Sequence, residues 1–156
     1  MKIRAILADT GRAAGTAANL LNAGWTNTTA IPLPQGAFTL PQQALAVFVE
    51  APWDQLNRPL KLILELKDDD DKIVEINRSQ TPSMPARVEH PLIIAPVPNA
   101  PNGVPGMATV VADFGGGTFR IPSPRKRYIW HVSVGDASDE VGFWVDAPVE
   151  MPKLGA

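Results

Sequence analysis

Leu60-Lys61-Leu62-Ile63-Leu64-Glu65-Leu66-Lys67 decides the reading of the fold. Four leucines occupy alternate positions on one face, and Lys61, Glu65 and Lys67 share the other. Successive side chains of an extended chain point to opposite faces, so this spacing makes one apolar face and one solvated face. Four aspartates follow, Asp68 to Asp71, and Lys72-Ile73-Val74-Glu75-Ile76 then resumes the alternation. The two segments are predicted to form a hairpin closed by an acidic turn.

Outward from this hairpin, period-2 or β-branched segments recur at Lys2–Ala8, Ala18–Trp25, Leu45–Glu50, Val88–Ile94, Ala108–Asp113, Arg127–Val134 and Val141–Val145. Within Arg127–Val134, Tyr128, Trp130, Val132 and Val134 share one face, and Ile129, His131 and Ser133 share the other. Aromatic and β-branched residues suit a half-buried pleated surface. Turn residues separate the segments: Pro32, Pro34 and Gly36; Pro82 and Pro85; Pro96 to Gly106; Gly115 to Gly117; Gly135 and Asp136. Short strands divided in this way indicate an all-β protein. The predicted fold is an antiparallel β-sandwich, immunoglobulin-like, of about eight strands, forming a single domain over residues 1–156 with a short flexible C-terminal tail. Gly11–Leu21 is the one stretch with helical potential, through its alanines, and a loop feeding a second strand fits it equally well. Ala95–Met107 is expected to be a long connection across the sandwich.

Composition agrees with this architecture. The chain has 156 residues, with 16 prolines and 12 glycines working against long helices. That length buries about 70% of the unfolded surface, enough for a core without metal or disulfide staples. No cysteine is present, which excludes disulfides, thiolate metal sites and cysteine nucleophiles. Fourteen basic and sixteen acidic residues give a net charge of −2, which argues against a general nucleic-acid footprint. The N-terminal apolar stretch is too short for a signal peptide, and no 18-residue apolar run suggests a membrane helix. A soluble cytoplasmic product, with no membrane association, is expected.

Motifs that carry chemistry are sparse. Gly11-Arg12-Ala13-Ala14-Gly15-Thr16 lacks the lysine of a phosphate-binding loop and the third glycine of a dinucleotide fingerprint. Gly115-Gly116-Gly117 reads as a hairpin loop. Asp68 to Asp71 has neither the turn glycine nor the spaced glutamate of a calcium loop, and reads as a solvated turn. His90 and His131 are the two histidines, neither at metal-ligand spacing from another. Ser133, His131 and Asp136 supply the residue types of a hydrolytic triad, without a nucleophile elbow beside them. No catalytic, cofactor-binding or metal residue is assigned, and no cofactor is expected. Arg120, Arg125, Lys126 and Arg127 form the basic cluster and the candidate interaction surface, suited to phosphate, lipid headgroups or an acidic partner surface, with a protein favoured over nucleic acid. Trp25, Trp53 and Trp144 offer an aromatic surface for a sugar or small ligand.

Three stretches, Ile6-Leu7-Ala8-Asp9, Asn19-Leu20-Leu21-Asn22-Ala23-Gly24-Trp25 and Ala51-Pro52-Trp53-Asp54 with Asn57-Arg58-Pro59, resemble an uncharacterised domain family of actinobacteria and their tailed phages. Tyr128-Ile129-Trp130 and Phe143-Trp144-Val145 match that family's closing strands, while Gly15-Thr16-Ala17-Ala18 departs from its more typical charged turn. The resemblance covers most of the chain. It implies a compact β-sandwich and a non-enzymatic virion component, such as a capsid decoration or minor capsid protein. The major capsid protein, other virion proteins or further copies of the chain are the expected partners. The virion, reached from the host cytoplasm, is the expected location. A carbohydrate- or small-ligand-binding module is the alternative.

Overall fold

The computed structural model describes residues 1–76 and 84–149, and every absence stated below refers to these. In chain order the strands are β1 (Lys2–Ala8), β2 (Thr10–Ala14), β3 (Ala17–Leu21), β4 (Asn27–Thr29), β5 (Ile31–Pro32), β6 (Phe38–Thr39), β7 (Gln43–Ala51) and β8 (Leu60–Asp68). They continue with β9 (Glu75–Ile76), β10 (Met84–Pro85), β11 (Arg87–Leu92), β12 (Gly106–Phe114), β13 (Phe119–Ile121), β14 (Lys126–Val134) and β15 (Ala137–Asp146). No α-helix occurs among the described residues, and none of their helices is long and apolar enough to cross a membrane. The fold is all-β and built from several antiparallel sheets.

Seven long strands make the frame. One sheet has the order β1-β7-β12, and the other has the order β11-β8-β14-β15-β4. All of these neighbours are antiparallel except β4, which runs parallel to β15. The leucine alternation is realised in β8. Leu62, Leu64 and Leu66 are buried, Leu60 is half-buried, and Lys61 is exposed. In β14, Tyr128, Trp130, Val132 and Val134 are buried. Facing them are Leu45, Val47, Val49 and Ala51 of β7 with Ala5 and Leu7 of β1.

The ring of Trp130 joins the layers. Phe114 of β12 stacks on it at 5.1 Å between centroids, and Phe119 of β13 meets it edge-on at 5.4 Å. Such ring pairs add about 0.5–1.5 kcal/mol beyond simple burial. The indole N–H donates to Gln43 Oε1 at 3.3 Å, which gives a buried glutamine a role inside the core. A third sheet of two- and three-residue strands, β10-β9-β13-β6-β5, closes the end where β8 finishes and β14 begins. It contributes Phe119 and Ile121 to the core.

The structure decides one reading that the sequence leaves open and corrects four expectations. Gly11–Leu21 is not helical: β2 and β3 pair as a hairpin turning near Gly15, whose φ is +63°. This hairpin lies on the outer face of the three-stranded sheet. Thr10 Oγ1 donates to Asp113 Oδ2 at 2.6 Å, and Thr109 Oγ1 donates to the Thr16 carbonyl at 2.6 Å. Ala8, Ala44 and Ala46 are fully buried beneath it, where larger side chains would push the layers apart. Gly11 permits the same approach, since a Cβ there would stand 2.5 Å from Leu20 Cδ2 and 3.4 Å from Val111 Cγ1. Helical propensity lost to this packing.

Strand Ala18–Trp25 ends at Leu21, because Asn22 and Gly24 take positive φ values of 50° and 80°. The expected partner of β8 in the acidic hairpin is reduced to one bridge, Lys67 with Ile73, because β11 takes the remaining edge. Gly115–Gly117 is a turn rather than a hairpin loop: it carries the chain from β12 into β13, which belongs to a different sheet. The strand total also exceeds eight, since two-residue strands carry no readable period. Of the predicted C-terminal tail, residues 150–156 lie outside the described residues, as does the turn residue Pro82.

At the seam between the main sheets, Asp139 Oδ2 accepts the Ala5 N–H of β1 at 2.7 Å, and Gly24 N–H donates to the Leu7 carbonyl at 2.7 Å. These contacts satisfy backbone groups on the outer edge of β1. Leu64 is 1% exposed at the centre of the core. Leu64→Asp buries an unpaired carboxylate and is expected to abolish soluble folding, read by soluble yield and near-UV circular dichroism. An unchanged melting curve would mean that the inward face is wrongly assigned.

Candidate functional site: the acidic turn and its lysine

Asp68 ends β8 on its buried face and is 6% exposed. Its Oδ1 accepts the backbone N–H groups of Asp70 and Lys72, each at 3.0 Å, so the side chain folds the turn around itself. The Asp68 N–H donates to the Lys72 carbonyl at 2.9 Å, and Asp71 takes a φ of +62° to reverse the chain. Aspartate tolerates that left-handed conformation better than most residues.

Neighbouring β14 supplies the cation. Lys126 Nζ lies 3.0 Å from Asp68 Oδ2, 3.1 Å from Asp69 Oδ1 and 2.8 Å from Asp70 Oδ2. An ammonium group has three donors, and here each faces one carboxylate. Asp71 pairs instead with Lys67 at 2.9 Å. The three clustered aspartates are the one group among the described residues whose oxygens converge closely enough for a metal ion. The Lys126 ammonium stands at the point they face, so the turn carries an internal counter-ion.

Burial pushes the Asp68 carboxyl upward, but the Lys72 N–H, the Lys126 ammonium and the Asp70 N–H together outweigh it and hold it below its ordinary 3.8. Lys126 is shifted upward, chiefly by its bond to Asp70, then by Asp68 and Asp69. Two residues on, burial pushes the Tyr128 phenol up to about 12. Its hydroxyl donates to the Ser123 carbonyl at 2.8 Å.

A cleft of about 570 Å³ opens beside the turn, bordered by Asp68, Lys72, Glu75 and Arg120 above an apolar floor of Ile73 and Ile121. The four basic residues named from the sequence separate around it. Arg120 is exposed on β13, opposite Glu75 and Thr39, and borders this cleft. Arg125, at a φ of +58°, borders a second groove of about 990 Å³ with Phe38, Pro32 and Asp146. Lys126 belongs to the acidic turn. The Arg127 guanidinium lies over Gly142, where a Cβ would stand 2.5 Å from Nη2, so the glycine makes room for it.

The outer face of the β11-β8-β14-β15-β4 sheet carries a network of ion pairs. Arg87 bonds both Glu65 and Glu89, Lys61 reaches Glu89 at 2.8 Å, and His131 Nδ1 lies 2.9 Å from Glu140. Exposed pairs of this kind contribute about 0–1 kcal/mol each. The residues for a triad do not assemble: the carboxylate beside His131 is Glu140, and Asp136 lies in the turn between β14 and β15. His90 is exposed on β11 opposite Leu62. The Gly11–Thr16 segment is strand and hairpin turn rather than a phosphate loop. The partnership of Lys126 with the aspartates was missed, although an acidic run and a basic run in one short chain were its signal.

Because the Asp68 carboxyl titrates lower in the folded state than in the unfolded chain, its contribution is complete above 3.8 and is lost as pH falls through the lower folded value. Asp68→Asn is expected to cost about 1–3 kcal/mol at neutral pH and to flatten the acid limb of a melting-temperature profile. A wild-type acid limb retained in the variant would assign that limb to other carboxylates. No family model, no curated protein and no solved structure matches this chain.

Proposed function

We propose that this chain is a non-enzymatic, immunoglobulin-like β-sandwich that serves as a structural component of a phage particle, a capsid decoration or minor capsid protein that binds other capsid subunits. Counting the seven long strands in order, the first, second and fifth face the fourth, third, sixth and seventh. That order supports the sandwich assignment, with β1, β7 and β12 as strands A, B and E and β11, β8, β14 and β15 as C′, C, F and G. Tyr128 supports it again: near the start of the sixth strand, it bonds a backbone carbonyl five residues upstream, as the tyrosine corner of such sandwiches does.

The observation that carries the interaction reading is an apolar loop end. The segment after β7, the start of β8, the end of β11 and the start of β12 meet there, with Asn57 N–H donating to the Ile94 carbonyl at 2.9 Å. Ile93 is 65% exposed and Met107 48%, with Val97 and Trp53 also open to solvent. Exposed apolar groups gathered on a rigid frame mark protein-binding surfaces. The resemblance to a phage-borne family directs the partner toward capsid subunits.

Mass spectrometry of purified particles of a phage encoding this chain is expected to find it in stoichiometric amount. Particles without it overturn the virion reading. Within such particles, the double substitution Ile93→Asp with Met107→Asp is expected to leave folding intact and to reduce the copies bound.

A carbohydrate- or small-ligand module is the second reading, favoured by Trp144. Its indole N–H donates to Asp146 Oδ1 at 2.9 Å, which pins a 44% exposed ring as a stacking surface. Trp25 suits this less, being half-buried and edge-on to Phe143. Tryptophan-fluorescence titration with a glycan panel separates the two readings, and a flat response removes the second. For the sandwich itself, Tyr128→Phe is expected to cost about 1 kcal/mol in denaturant unfolding with an unchanged far-UV spectrum.

A further inference from the structure

We propose that Asn102 is a self-modification site, converted within the folded protein to aspartate and isoaspartate through a cyclic imide formed with Gly103. Both residues are exposed, in the connection between β11 and β12. Pro101 to Val104 forms a turn in which the Val104 N–H donates to the Pro101 carbonyl at 3.4 Å. Gly103 occupies its third position with a φ of +93°, a conformation that favours glycine. Beyond Gly103 and its two chain neighbours, no atom lies within 4 Å of the place a Gly103 Cβ would take, so the rest of the fold does not crowd this turn.

The reaction needs an accessible backbone nitrogen next to an unengaged side-chain amide. Among the described residues no acceptor holds the Gly103 N–H and no partner holds the Asn102 amide. Gly103 loses its amide proton to hydroxide, and its nitrogen attacks Asn102 Cγ. The new N–Cγ bond forms as Cγ–Nδ2 breaks, and the departing nitrogen takes up a proton and leaves as ammonia. Water then opens the imide at either carbonyl, giving aspartate or isoaspartate. No oxidant or reductant is required.

Three other asparagines are held back. The Asn22 amide donates to Asp9 Oδ2 at 2.9 Å, and Ala23 follows it. Asn57 precedes the bulky Arg58. Asn99 precedes Ala100, whose N–H is engaged by the Val97 carbonyl at 3.2 Å. Asn102 is the one asparagine in the chain followed by glycine. Its conversion places a new negative charge in the connection that also carries Val97.

The test is to incubate the full chain in neutral and mildly alkaline buffer, digest it, and separate aspartate and isoaspartate peptides by liquid chromatography with mass spectrometry. The Asn102 peptide is expected to convert at least about tenfold faster than those containing Asn22, Asn57 or Asn99, with a rate that rises with hydroxide concentration. Gly103→Ala is expected to slow it to the rate of the other sites. Asn102→Gln, which leaves the glycine turn in place, is expected to remove it. Two results overturn the proposal: Asn102 intact in the folded chain while a free 97–107 peptide converts, or Gly103→Ala converting at the wild-type rate.

Discussion

The separation of the two main sheets is set by the Trp130 ring. It rises from the middle of β14, lies flat against Phe114, meets Phe119 edge-on and reaches Gln43 through its nitrogen. Three elements that share no backbone ladder with β14 are thereby held at fixed distances from it. The leucines of β8 and the valines of β7 fill the remaining volume, and close packing leaves little freedom for either sheet to slide. The neighbouring Tyr128 and Lys126 inherit their positions from the same strand. The corner hydrogen bond and the counter-ion of the acidic turn are both consequences of where β14 sits.

The main strands were legible because their chemistry repeats within a few residues. Leu62, Leu64 and Leu66 announce a buried face by spacing alone, and Tyr128 to Val134 does the same with rings and branched chains. The β2–β3 hairpin was ambiguous because alanine suits a helix, and what selects strand is the close fit of Gly11 over Val111. That fit depends on residues a hundred positions apart. The end sheet was illegible for a simpler reason: Phe38–Thr39 or Glu75–Ile76 cannot display a period.

The site shows the same division between local and distant information. An acidic turn was evident from Asp68 to Asp71, and its tight form follows from aspartate's habit of bonding its own backbone. The sequence could not say that Lys126, 58 positions from Asp68, stands over three of the carboxylates, because that requires β8 and β14 to be neighbours. For the same reason the four basic residues looked like one patch in one dimension. Alternation along β14 and the bend at Arg125 send them to different surfaces.

Two contacts at the seam close part of the outer edge of β1. The β1 edge would otherwise offer the Ala5 N–H and the Leu7 carbonyl to any extended polypeptide, and Asp139 and Gly24 take them first. A carboxylate directed into that edge also repels the carbonyl row of an incoming strand. Unpaired edges are where β proteins polymerise. With both groups engaged inside the molecule, neither is left to hold an added strand along that stretch of β1.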